Sequence, residues 1–256
     1  MAAMFKTMLV GGALLVLAGC ASTSQPGRST PLGSNVHGSG FMPEVYPLMK
    51  PGKEGEALLL YRNPDYDTPA VFSRYDKIYL QPVKLYGDAQ SKLHSAPQEQ
   101  NTAIAQGLYD QLHEQLGKDY QMVDQTGPGT LQLSVAIIDA QAADTSLKAA
   151  SYVPIPLGLP GAKMATMQTL EHTQGKPPFA GQVTVEGKLT DASSGKVVAG
   201  MIDRRVGARK PIIGLFESST YDSWSDVSEA ERYWAEQVRY RFCMRRGASD
   251  CTHASE

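Results

Sequence analysis

Few side chains in this sequence combine the residue type and the spacing that catalysis requires. Ser193-Ser194-Gly195-Lys196 has the Ser-x-x-Lys spacing of an acyl-enzyme nucleophile. Such a Ser must stand at a helix start, facing its Lys. Here it falls in the turn between two strand-like runs, and no Ser-Asp-Asn or Lys-Thr-Gly stretch accompanies it. The same Gly195-Lys196 lacks the upstream Gly and the following Ser or Thr of a phosphate-cradling loop. His113-Glu114 opens a His-Glu-x-x-His zinc pattern, but residue 117 is Gly, so the second imidazole is missing. His37, His94, His172 and His253 are scattered. Asp191 and Asp203 lie on neighbouring strand-like runs and could meet as general acid and base. A turn Asp that caps its own backbone explains Asp191 more simply. The expectation is a protein with no catalytic residues, no metal site and no cofactor.

The chemistry that the sequence does support lies at Cys20. Lys6 is the only charged side chain in the first nineteen residues, and residues 7–19 are uncharged and mostly apolar. Such a run is shorter than the roughly 20 residues of a spanning helix, so it reads as a secretory signal. It ends in Leu17-Ala18-Gly19-Cys20, which resembles the lipobox of bacterial lipoproteins. The likeness implies cleavage before Cys20, lipidation of its thiol and a stable hold on a membrane by several acyl chains. Ala21 follows the Cys, and the absence of Asp there points to the outer membrane. Cys243 and Cys251 then remain in an oxidising compartment, eight positions apart, and are expected to form a disulfide.

Composition narrows the class. In 256 residues, 42% are hydrophobic and 20% charged, enough apolar content for a sizeable core. Lys and Arg total 24 against 26 Asp and Glu, so no basic field exists to hold nucleic acid. After the signal (1–19), residues 20–40 are rich in Ser, Thr, Gly, Pro and Asn, which predicts a disordered tether with a reach of roughly 25 Å.

The positioning elements follow over residues 41–246. Residues 41–72 are broken by five prolines, and Tyr46, Tyr61, Tyr66, Tyr75, Tyr79 and Tyr86 cluster in and just beyond them. Their rings would clamp an irregular arm to a sheet or, alternatively, stack on a glycan. Residues 76–83 alternate as a strand. Ser95-Ala96-Pro97-Gln98 opens a helix in which Ile104, Leu108, Leu112 and Leu116 recur every four residues until Gly117. Leu131, Leu133, Val135 and Ile137 mark one face of a long strand, and residues 183–205 form a hairpin about a turn at 191–195. A last helix opens near Ser225, with Val227, Ala230, Trp234, Val238 and Phe242 on its inner face. This order predicts an α+β fold: an antiparallel sheet with two main helices on one face. A Pro-rich insert occupies residues 140–180, and residues 247–256 form a tail. Within the insert Val153, Ile155, Leu157 and Leu159 alternate among prolines, so one side of an extended stretch is apolar. Packing in the core is one reading. Docking of a protein partner through Ile155 and Leu157 is the other.

Taken together, the chain resembles a family of uncharacterised bacterial lipoproteins, catalogued as domain of unknown function 3313. The likeness rests on Ser39-Gly40-Phe41 through Tyr46-Pro47-Leu48, on residues 75–83, on residues 185–191 with Gly195, and on Trp224 with Tyr233-Trp234-Ala235. The resemblance brings no activity and no catalytic residues. The functional expectation is a non-catalytic lipoprotein on the periplasmic face of the outer membrane. It would bind an envelope protein partner in transport, export or cell-wall assembly. The alternative is a glycan or lipid binder using the Tyr-rich arm, and a hydrolase is the remaining possibility.

Overall fold

A computed structural model describes residues 23–144, 169, 172–177, 180–207 and 223–254. Cys20, Ile155 and Leu157 lie outside the described residues. The strands are β1 (Thr23–Ser24), β2 (Lys50–Pro51), β3 (Leu59–Arg62), β4 (Lys77–Leu80), β5 (Lys84–Leu85), β6 (Gln121–Met122), β7 (Thr130–Gln141), β8 (Gln182–Asp191) and β9 (Val197–Gly207). Two long helices, α3 (Gln98–Leu116) and α4 (Ser225–Arg245), accompany the short α1 (Pro31–Ser34) and α2 (Pro69–Phe72). All nine strands join one sheet in the order β2-β3-β9-β8-β7-β4-β6, with β1 beside β9 and β5 beside β7.

The fold class is α+β, but the sheet is mixed. β7, β8 and β9 form an antiparallel meander, and β3 adds antiparallel to β9. β4 runs parallel to both β6 and β7, and β5 parallel to β7. The expectation of a wholly antiparallel sheet is therefore corrected. α3 is a crossover that returns the chain to the start of the sheet, and a strand delivered by such a crossover enters parallel. α3 itself begins at Gln98 behind Pro97, with no side-chain cap, and its row of Ile104, Leu108, Leu112 and Leu116 is buried.

Period-two alternation sorts the long strands into two faces. Leu131, Leu133, Val135 and Ile137 of β7, with Val183, Val185 and Leu189 of β8, face α3 and α4 and pack with Val227, Ala230, Trp234 and Phe242. Ala136, Ile138 and Ile202 face the other way and are covered by Val36, Met42, Val45 and Leu58. The cover on that second face corrects another expectation, the free tether. From Thr23 onward the segment is docked, with Thr23 opposite Gly207 and Ser24 opposite Val206. A composition rich in small polar residues predicts too little burial to order a chain. Here those residues satisfy backbone groups instead: Thr30 Oγ1 accepts from Gly33 N at the start of α1. The sparse Val36, Met42 and Val45 find an apolar row already waiting on the sheet.

Tyr46 of the arm serves as a clamp. The Tyr46 hydroxyl donates to Glu186 Oε2 at 2.7 Å and accepts from Gly40 N and Met42 N. Glu186 is fully buried and also accepts from Ser39 N at 2.7 Å. Burial pushes its carboxyl above the usual range, offset by the Ser39 and Tyr46 bonds. Among the described residues no helix is long and apolar enough to cross a membrane.

Candidate functional site

The site is a cavity of about 970 Å³ between the helical layer and the sheet. Its floor comes from the inward alternation of β8 (Val185, Gly187, Leu189) and β9 (Ala199, Met201, Asp203, Arg205). Gly187 and Ala199 contribute almost no side chain at the centre of that floor, so the sheet leaves volume unfilled. A Cβ at Gly187 would meet only the flexible Met201 side chain, at 3.4 Å. The roof is a stripe along α4 formed by Tyr233, Trp234, Gln237, Val238, Arg241, Phe242 and Arg245, joined by Leu108 and Leu112 of α3. The inner part is apolar, with Leu133, Val135, Val185, Met201 and Phe242 offering water few partners, whereas Arg28, Glu54, Glu56, Arg62 and Asp67 give it a charged rim.

One wall is held by Asp203, which is 4% exposed. Its Oδ2 accepts from Trp234 Nε1 at 2.7 Å, and its Oδ1 from Gln25 Nε2 at 2.5 Å and Leu58 N at 3.2 Å. This one carboxylate ties the arm after β1, the approach to β3, and α4 together at the cavity. Burial raises its pKa above the ordinary carboxylate value, offset by the Trp234 and Gln25 bonds, the Arg205 charge and the Leu58 bond. Arg205, also buried, donates through Nε to Thr23 Oγ1 at 2.9 Å and through Nη2 to Thr23 O. Its guanidinium lies 3.5 Å from the Tyr233 ring centroid, a cation–π stack.

The rim is charged but internally tied. Arg28 donates to the carbonyls of Lys53 and Glu56, each at 2.8 Å, and Arg241 donates to Gly55 O. Arg62 pairs with Glu56 at 2.6 Å and Arg245 with Asp67 at 2.8 Å. Gln237 Nε2 donates to Gly55 O at 3.1 Å, whereas its buried Oε1 has no hydrogen-bond partner among the described residues. Beside the cavity roof, Glu231 of α4 presses against Gly107 of α3. A Cβ on Gly107 would lie 2.6 Å from Glu231 Oε2, so the carboxylate in its present position needs Gly at residue 107. Glu231 is 5% exposed, its Oε1 is unpartnered among the described residues, and burial pushes its carboxyl up to about 8.

The sequence candidates are distributed elsewhere. Asp203 stands opposite Val185, well along β8 from Asp191, so the two carboxyls do not form a pair. Asp191 accepts from Ser193 N and Ser193 Oγ at 2.9 and 2.7 Å, within its own turn. His113 stacks on Tyr109. No group of three His, Cys, Asp or Glu able to hold a metal occurs among the described residues. A disulfide joins Cys243 to Cys251 and fastens the tail to the end of α4. Sequence reasoning missed the cavity and Glu231, and it singled out Asp203 but paired it with Asp191 instead of Trp234, Gln25 and Leu58. Two signals were available: a Gly within a strand pattern, and a carboxylate on the apolar face of each of two elements.

A family model described as "Protein of unknown function (DUF3313)" matches residues 37–238. The chain belongs to this family. The matched span includes the floor of the cavity and most of its roof, and begins after the β1 arm. No match was found among the curated proteins. Among solved structures, the chain is similar to a single-substitution variant of the PelC dodecamer from Paraburkholderia phytofirmans. That match has 12% identity and a TM-score of 0.35, and covers 75% of this chain and 96% of that chain. A DUF4136 family protein from Bacteroides thetaiotaomicron matches at 14% identity and a TM-score of 0.31, covering 70% of this chain and 95% of that one. At these scores neither likeness bears on what this chain does.

Proposed function

We propose that this member of the family is a non-catalytic lipoprotein, anchored through Cys20 to the periplasmic face of the outer membrane, whose domain binds an apolar ligand. The observation that carries the ligand is the cavity of about 970 Å³ between sheet and helices, floored around Gly187 and roofed by α4. Its volume lies within the roughly 300–1,000 Å³ of small-molecule sites, which are mostly apolar with a few placed polar groups. Gln237 Oε1 and the Asp203 cluster are those groups here. The Leu17-Ala18-Gly19-Cys20 stretch supports the anchor and the compartment. The cavity favours lipid binding over the alternative of glycan binding by the tyrosine arm, because Tyr46 is committed to Glu186.

The test is titration of the Cys20→Ser chain, released behind a cleavable leader and stripped of bound lipid, with a fluorescent fatty acid. Saturable binding that quenches Trp234 emission is expected. Gly187→Leu and Val238→Trp, which fill the cavity, should abolish that binding with the melting temperature preserved. Failure of the lipid-stripped chain to bind would remove the ligand reading.

A further inference from the structure

The cavity has a shape and a place as well as a volume. Its roof residues run along α4 from Tyr233 to Arg245, a length of about 18 Å at 1.5 Å per residue. It is thus a channel parallel to the helix. An acyl chain spans one leaflet, about 15 Å of a hydrocarbon core of ~30 Å, so the channel is one acyl chain long. One end of it lies at Arg205 and Tyr233, where Arg205 grips Thr23 through both its hydroxyl and its carbonyl. The cavity wall begins at Ser24 and continues through Gln25, Pro26, Gly27, Arg28 and Ser29. Cys20 stands four residues before Ser24 in the chain, at most about 14 Å away when fully extended. Chain length alone therefore keeps the lipid attachment point within one acyl length of Ser24 in the cavity wall.

We infer that the channel receives one acyl chain of the protein's own lipidated Cys20, the remaining chains staying in the bilayer. The inference rests on the lipoprotein and apolar-ligand readings above and names the occupant. It also gives the arm a purpose. A free tether would let the domain drift away from its lipid, whereas β1, Gln25 and Arg28 hold residues 23–28 along the cavity wall. Own-chain occupancy sets the domain's distance from the bilayer, because the arm cannot extend while the chain is buried.

The test uses the full lipidated chain in its own membrane. Cells are fed a diazirine-bearing fatty acid and irradiated, and the purified protein is digested and mapped by mass spectrometry. Expected are intramolecular crosslinks from the Cys20 lipid to peptides containing Met201, Trp234 or Val238. These should be lost in Gly187→Leu and in Val238→Trp, variants that keep their anchor and their melting temperature. Label on Cys20 that crosslinks only to lipids or to other proteins overturns the inference. In that case fatty-acid uptake by the unlipidated Cys20→Ser chain would leave the ligand reading standing, and no uptake would remove both. Absence of label from Cys20 overturns the inference through its anchor, while the same uptake measurement still decides the cavity.

Discussion

Replacing Glu231 by Gln tests whether the contact between α3 and α4 is as dry as the structure makes it. Glu231 faces Gly107, has one oxygen without a partner among the described residues, and owes its raised carboxyl wholly to burial. A rise from the ordinary 4.5 to about 8 corresponds to about 5 kcal/mol at 1.36 kcal/mol per pH unit. The sign follows from linkage. The folded state prefers the protonated acid, so this contribution is fully present below 4.5, is lost as pH rises toward 8, and stays lost above it. The amide introduced by Glu231→Gln keeps the shape and removes the titration. At pH 5 the two proteins should differ by no more than about 1 kcal/mol, because the acid is still largely protonated in the folded state and only partly ionised in the unfolded one. At pH 8.5 the variant should be the more stable by up to about 5 kcal/mol. With a urea slope of about 1–3 kcal/mol/M, the midpoint should move by about 2 M. Urea unfolding of both proteins from pH 4.5 to 9 provides the readout. Other shifted carboxyls, such as Asp203 and Glu186, cancel in the difference. Curves that stay parallel across that range would refute the reasoning, since they require Glu231 to be solvated or paired in the folded protein.

Asp203→Ala leaves Trp234 Nε1 and Leu58 N without an acceptor and releases Gln25; it should cost about 2–6 kcal/mol, at about 1–3 per stranded donor, and Asp203→Asn less, by urea unfolding. Trp234→Ala should cost about 3–5 kcal/mol of stability; a variant that melts like the parent would show that the ring is not part of the core. Ser in place of Cys243 or Cys251 should cost about 2–3 kcal/mol on the loop-entropy account, read as a lowered melting temperature that reductant reproduces in the parent. Cys20→Ser should abolish acylation, and intact-mass analysis of the parent chain that found no acyl mass would end the anchor reading.

The elements of this protein were legible one at a time. The four-residue recurrence of Ile104, Leu108, Leu112 and Leu116 marks a helix, the alternation from Leu131 to Ile137 marks a strand, and the turn at Asp191 joins two strands into a hairpin. Each pattern reports which side of its own segment avoids water, and that depends only on neighbours along the chain. The α+β class and the family follow from such local information. What lies opposite each apolar side is a matter of distances between segments. That is why the parallel pairing of β4 and β5 with β7, the docking of the Ser- and Gly-rich arm, and the cavity became visible only in the assembled structure. Gly187 looks like a weak strand residue until α4 stands across from it and the missing side chain becomes a volume. Glu231 looks like an ordinary helical carboxylate until α3 covers it, with Gly107 leaving room for its oxygen. Asp203, a plain member of an alternating strand, becomes the tie between three segments because Gln25, Leu58 and Trp234 converge on it from far along the chain.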